Sequence, residues 1–321
     1  MIIGAGRGSW PALKAGGQMS FKTDQLRYFV TVAEEGQITR AAEKLYIAQP
    51  ALSQAISQLE NDLGLKLLER HPRGVRLTPS GEAFLEKARA VVDTERDVQL
   101  TAQSLARAAR GVIEVGFIGP PPQMTAPALF TAFAETHPEA DISFRELPFP
   151  RGTTRTWLED IDVAFCQPPE LEEHIEVHHV RVEPRTLIVP ADHPLAAAGE
   201  AKIEQALGET FISYHPGVQP AWAGFHSLDD HRGGPPQALT GDRIATSLEM
   251  LGRLGGLPVS GAVTALPDAD AQLVSHVLAG VAAVPLTDAA PATVSLVWHS
   301  GDAHPLVRAL VDSARRSSAT E

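Results

Sequence analysis

The sequence of 321 residues holds a single cysteine, Cys166, so no internal disulfide framework can form, and a reducing compartment is the matching environment. No run of about 18 apolar residues occurs, which excludes a membrane-spanning helix and with it a membrane partner. The opening stretch MIIGAGRGSWPALKAGGQ lacks the continuous apolar core of about 7–15 residues that a secretory signal needs, so the chain is expected in the cytoplasm. Neither a Gly-x-Ser-x-Gly elbow nor a phosphate loop is present, and no enzyme is expected. The glycines at 4–8 follow no strand of useful length, and position 9 is Ser, so they form no nucleotide loop. Aromatics make up only 6% of the chain, and Trp10, Trp157, Trp222 and Trp298 lie too far apart to form a base-stacking platform.

What is there is charge, unevenly spread. A net charge of -12 argues against nucleic acid until it is divided. Residues 20–110 carry 13 Lys and Arg against 12 Asp and Glu, whereas residues 111–321 carry 12 against 27. The acidity belongs to the C-terminal part, and a locally basic surface is free to form at the other end.

Periodicity divides the chain further. Residues 1–19 are glycine-rich and aperiodic and read as a disordered extension, with Met19 as a candidate start. Residues 20–78 read as three short helices and a strand pair. Leu26, Phe29, Val30 and Ala33 form one apolar stripe, and Leu52, Ile56, Leu59 and Leu63 another, closed by Gly64. Two short strands flank the turn His71-Pro72-Arg73-Gly74. Thr78-Pro79 then opens a long helix over 79–110, Thr as N-cap. Phe84, Ala88, Val91, Glu95, Val98, Ala102 and Leu105 step along it by fours and threes, a heptad seam that predicts helix pairing between two copies; packing on its own domain is the alternative. From 111 to 321 short apolar strands alternate with helices, the signature of an α/β domain in two lobes.

The second and third helices form a helix-turn-helix, and the strand pair with Arg70, Arg73 and Arg76 its wing. Once Leu52, Ile56 and Leu59 are buried, Gln49, Ser53, Gln54, Ser57 and Gln58 point outward. Such side chains donate to and accept from base edges in a major groove, and Ala51 can meet a thymine methyl. The competing reading is a small helical bundle with a solvated polar face.

A resemblance weighs on that choice. Leu26 to Gly36, Ile38-Thr-Arg-Ala-Ala42, Gln49-Pro-Ala-Leu-Ser53, Gln58-Leu-Glu60, Leu67-Leu-Glu-Arg70 and Arg76-Leu-Thr-Pro-Ser-Gly81 resemble the DNA-binding domain of LysR-type transcriptional regulators across 24–109. Leu158 to Phe165, Ala191-Asp-His-Pro-Leu195 and the final strand-helix pair continue it more weakly. The resemblance implies an α/β protein overall: a winged helix-turn-helix with a long linker helix, then a two-lobed, periplasmic-binding-protein-like regulatory domain over 111–321, its second lobe at about 183–257. It implies double-stranded promoter DNA, a small-molecule effector and a homodimer or homotetramer, with RNA polymerase a further partner. Carried over residue by residue, it puts Gln49, Pro50, Ala51 and Ser53 in the major groove, Thr39 and Arg40 on phosphate, and Arg73 at backbone or minor groove. Many members have Arg at position 54; Gln54 removes that charge.

The effector is expected in the cleft between the lobes. Pro120 and Pro148 fall where the family often has Ser or Thr, and proline offers neither hydroxyl nor N–H. With Pro121, Pro122 and Pro150 they predict a stiff, donor-poor mouth and an apolar, less anionic ligand, or a weak response or none. Gln123, Thr125, Phe165, Ser213, Tyr214 and Thr246 complete the candidate lining. His174, His178 and His179 lack the zinc-protease pattern and read as surface histidines, so no metal and no cofactor are expected. Cys166 reads as packed rather than redox-active. A regulator that ignores ligands, and a small-molecule-binding protein or enzyme with an incidental helical domain, stay open as alternatives.

Overall fold

The computed structural model describes residues 21–72, 74–167, 172–237, 239–240, 243–255, 262–301 and 304–318. The extension 1–19, with Met19 and Trp10, therefore lies outside the described residues, as does Arg73. Two compact units divide between Leu100 and Thr101.

The first unit begins with α1 (Thr23–Glu35), α2 (Ile38–Lys44) and α3 (Gln49–Leu63). Leu26 and Phe29 of α1, Ala41 and Ala42 of α2, and Leu52, Ile56 and Leu59 of α3 meet in one core, each buried. Burying each large side chain stabilises the unit by about 1.5–3 kcal/mol. Pro50 sits in the first turn of α3, and Gly64 ends it at φ 66°, in the left-handed region. The wing is an antiparallel pair, β1 (Leu68–His71) and β2 (Gly74–Leu77), with Leu68 opposite Leu77. A buried carboxylate ties it to α3: Glu60 accepts from the backbone N–H of Leu67 at 2.9 Å and of Leu68 at 3.1 Å and pairs with Lys66. Burial alone would raise the Glu60 pKa, but the Lys66 ammonium and both amides hold it below the ordinary value.

α4 (Pro79–Ala108) starts where Thr78 caps it, the Thr78 Oγ1 accepting from the Gly81 N–H at 2.9 Å and donating to the Lys66 carbonyl at 2.6 Å. Gly81 must be glycine, because a Cβ there would come within 2.1 Å of the Leu67 carbonyl oxygen. The heptad seam divides. Phe84 and Ala88 pack into the unit's own core, and Phe84 meets the rings of Phe21 and Phe29. They are therefore not free to pair with a second copy. Val91, Val98 and Leu105 stay exposed on this chain, and Glu95, the seam's polar member, pairs with Arg27 at 3.0 Å.

The second unit opens with the last turns of α4. It places β3 (Val112–Phe117), α5 (Pro122–Thr125), α6 (Pro127–Thr136), β4 (Asp141–Glu146), α7 (Thr154–Trp157), β5 (Val163–Cys166) and β6 (Ile175–Glu183) in a first lobe. The chain then crosses to β7 (Arg185–Pro190), α8 (Pro194–Ala198), α9 (Ile203–Ala206), α10 (Pro220–His226), α11 (Asp229–Arg232) and α12 (Ser247–Gly255). β8 (Thr264–Pro267), α13 (Asp268–Val277) and β9 (Val281–Pro285) complete the second lobe, and β10 (Ala292–His299) and α14 (Pro305–Ser318) return to the first. The first sheet runs β4-β3-β5-β10-β6 and the second β8-β7-β9. The second lobe thus extends past the expected 183–257, because β9 pairs with β7 along Thr186–Pro190 and brings 264–285 with it.

Asp162, just ahead of β5, anchors the end of α4. Its fully buried carboxylate takes a bidentate contact from Arg107, the closest at 2.6 Å, and accepts the Glu114 N–H at 2.8 Å. This clamp explains why compaction divides inside α4 rather than at the expected 110/111. His178 and His179 alternate along β6, so they face opposite sides of the sheet, with His174 just outside it. Phe149 leaves the first lobe between β4 and α7 and fills the second lobe's core, against Trp222 at 4.5 Å and Tyr214 at 5.7 Å between ring centroids. Its N–H donates to the Ala245 carbonyl at 2.9 Å.

Candidate nucleic-acid interface and ligand cleft

On α3, with one side buried, the other presents Gln49, Pro50, Ala51, Gln54, Ser57 and Gln58 exposed and Ser53 half-buried. No charged side chain occurs from 49 to 58, so this face offers hydrogen bonds and methyl contacts only. Gln49 Nε2 donates to Ser53 Oγ at 3.0 Å, which orients the Gln49 carboxamide along the first turn. Thr39 and Arg40 are exposed at the start of α2, and the Arg40 guanidinium donates to the Glu35 carbonyl. Arg70 and Arg76 are exposed on the wing strands. Tyr46, in the turn between α2 and α3, is 95% exposed at φ 54°, a conformation unusual for a bulky residue. Exposed cations thus flank an uncharged surface, the division of labour that phosphate contacts and base contacts require.

In the second unit the lobes enclose a cleft of two adjoining chambers. The inner one, about 30 Å³, is bounded by Phe149, Gln167, Trp222, His226, Ser247 and Asp270, among others. The outer one, about 310 Å³, is walled mainly by apolar side chains including Met124, Leu248, Leu251 and Leu273. Gly119, Pro120, Ser247, Leu251 and Val274 belong to both. The Gly119 N–H donates across the cleft to Ser247 Oγ at 2.9 Å. Gly119 lies at φ +86°, and a Cβ on it would come within 3.3 Å of Asp270 Oδ2.

Two ionisable groups of the inner chamber are far from their ordinary state. Burial pushes the His226 imidazolium down to about 4, with Arg185 adding to it, against the raising pull of the Ala265 carbonyl on Nδ1 at 2.7 Å. Burial pushes the Asp270 carboxyl up to about 7, against the pull of Arg181 at 3.5 Å and with a push from Glu183. Arg181 is held in turn by the Thr125 carbonyl at 2.7 Å.

Of the effector residues expected from sequence, Pro120 lines both chambers and Pro121 the outer. The others are not gathered there. Pro148 is exposed and its carbonyl accepts from Trp157 Nε1 at 2.7 Å. Phe165 is buried in the first lobe's own core, because β5 is a central strand covered by Phe130. Tyr214 lies behind the chamber wall, its hydroxyl on Thr264 Oγ1 at 3.2 Å, and burial raises its pKa. Ser213 is held through its N–H by Thr240 Oγ1. Thr246 accepts the Glu249 N–H at the start of α12, one residue from Ser247. Gln123 is exposed on α5, and Thr125 is half-buried at its end. Trp222, His226, Gln167, Ser247 and Asp270 carried no signal beyond the four-residue spacing of Trp222 and His226. Cys166 is buried, which raises its thiol pKa and keeps it unreactive. Among the described residues no group of three or more His, Cys, Asp or Glu is placed to hold a metal ion, and no helix is long and apolar enough to cross a membrane.

The model of the bacterial regulatory helix-turn-helix protein, lysR family, matches residues 23–82, and that of the LysR substrate binding domain matches residues 106–319. The chain is similar to the HTH-type transcriptional regulator TdfR of Cupriavidus pinatubonensis, 29% identical over 91% of this chain and 97% of that protein. A probable cat1 operon transcriptional activator of Acinetobacter lwoffii is 30% identical over 71% of this chain and 76% of its own length. Full-length BenM is similar in structure, with TM-score 0.50 and 25% identity over 94% of this chain and 97% of that one. The chain belongs to the LysR family: it is a transcriptional regulator with a helix-turn-helix DNA-binding domain and an effector-binding domain.

Proposed function

We propose that this regulator reads promoter DNA through the uncharged face of α3 and responds to a neutral, largely apolar effector held in the cleft of its second unit. Gln49, Pro50, Ala51 and Ser53 meet base edges in the major groove, with Gln54 and Ser57 beside them, while Thr39, Arg40 and Arg73 hold the backbone. Copies pair through Val91, Val98 and Leu105 of α4, and regulatory domains join pairs into tetramers. Ligand-driven closure of the lobes changes the setting of the paired DNA-binding units and their contact with RNA polymerase. The protein works in the cytoplasm and catalyses no reaction.

The observation that carries this reading is the contrast along residues 49–58 and the turn after them in α3, Leu52, Ile56 and Leu59 buried on one side and an exposed polar surface without charge from Gln49 to Gln58 on the other. Gel-shift titration of Gln49→Ala against matched and scrambled operators tests it. The variant is expected to lose about 1–3 kcal/mol on the matched site alone, whereas Arg73→Ala weakens every duplex alike and flattens the salt dependence. Equal losses on all duplexes for Gln49→Ala would remove its base-reading role.

A further inference from the structure

Three residues that line the inner chamber each carry a buried polar atom with no hydrogen-bond partner among the described residues: Trp222 Nε1, His226 Nε2 and Gln167 Oε1. Trp222 is only 3% exposed and His226 only 4%, and they stand one helical turn apart on α10, ring centroids 4.2 Å from each other. Their roles are fixed by chemistry. An indole N–H can only donate. The Ala265 carbonyl can only accept, so the His226 Nδ1 at 2.7 Å carries the ring proton and Nε2 presents a lone pair. Gln167 Oε1 also accepts. These three unpartnered atoms therefore offer one donor and two acceptors beside a space of about 30 Å³, room for little more than one hydrated polar group.

A hydroxyl fits this set, because its oxygen takes the indole proton while its own proton goes to the imidazole. A carboxylate brings only acceptors, so of the three unpartnered atoms it can meet the indole alone, and it would lie beside Asp270. Pro120 and Pro121 have no N–H to offer it, and the Gly119 N–H is already on Ser247. A primary ammonium would meet both acceptors and leave the indole unmet. The outer chamber of about 310 Å³ accepts an apolar body of ring size or more.

We infer that the ligand is a neutral alcohol or phenol with a largely apolar body, its hydroxyl held between Trp222 Nε1 and His226 Nε2 with Gln167 closing the chamber. This rests on the reading of the cleft as the effector site and names the chemistry that site takes. Isothermal titration of the full-length protein with 4-propylphenol, 4-propylanisole and 4-propylbenzoate tests it. The phenol should bind tightest. The anisole, which accepts but cannot donate, should bind roughly 3- to 10-fold more weakly, and the benzoate more weakly still. With folding checked by circular dichroism, His226→Phe should bring phenol and anisole to within about twofold, the sign of a lost neutral hydrogen bond, whereas Trp222→Phe should weaken both alike and keep their ratio. Should either fail to fold, the phenol-to-anisole ratio of the natural sequence decides by itself. Equal affinity for phenol and anisole in the natural sequence, tightest binding of benzoate, or binding of none of the three overturns the inference. The cleft reading fails separately, if probes bind but Leu251→Trp, which fills the outer chamber from its wall, leaves their affinity unchanged.

Discussion

His226 and Asp270 share one chamber and respond to acid in opposite senses. The folded chain resists protonating His226 until about pH 4, whereas the unfolded chain takes that proton near 6.5, so this group lowers stability as pH falls through that window. Asp270 holds its proton up to about pH 7 when folded and releases it near 3.8 when unfolded, so its contribution is greatest in acid and is lost as pH rises to 7. Between pH 4 and 6.5 the two offset each other and the natural protein should show a shallow profile. Asp270→Asn leaves His226 alone and should steepen the acid loss by about 2 kcal/mol between pH 6.5 and 5, at about 1.4 kcal/mol per unit. Urea unfolding at both pH values measures it; an unchanged slope would refute the opposition. At this scale the sequence is eloquent about α3, whose exposed face follows from period alone, and nearly silent about the cleft. Trp222 and His226 acquire their meaning only from burial by Phe149 and the Ala265 carbonyl, partners more than 35 residues away in the chain.

Elements with a strong period are where sequence and structure agree. The expected helix over 79–110 is found at Pro79–Ala108, and the Thr78 cap that announced it is made. The seam along it shows where reading one element by itself misleads. Phe84 and Ala88 continue the heptad in sequence, yet the core of α1 to α3 claims them. What remains for pairing is the stripe Val91, Val98 and Leu105, with Val98 65% exposed. Val98→Asp places a charge in that stripe while touching no core residue, so it should weaken self-association by at least tenfold and leave the thermal midpoint of the DNA-binding unit within a degree or two. Sedimentation across a dilution series, with calorimetry on the same samples, separates the effects; an unshifted association constant would place the interface elsewhere. The short helices α8 to α11 were illegible for a different reason: four to seven residues give too few turns to display a period.

For the whole molecule, two expectations from sequence, a helical first part and a strand-helix second part, match the two units, while the extent of the second lobe does not. The strand β9 closes that lobe from a distance of about 90 residues beyond β7, a pairing that no local pattern encodes. Phe149 does something similar with a single side chain, since it belongs to one lobe by sequence and to the other by packing. Its removal should therefore weaken both. Phe149→Ala is expected to cost about 3–5 kcal/mol and to lower the melting of residues 101–321, expected as one calorimetric transition, by roughly 10 °C without splitting it. Two resolved transitions would mean that the lobes are independent. This seating also limits how the jaws can move. A wide gape would drag an aromatic ring into water, whereas a swivel about the strand crossings at 183–185 and 285–292 leaves it in place. Occupied and empty forms should accordingly differ by a small angle, with the last turn of α4 held to the first lobe in both by the Arg107–Asp162 clamp.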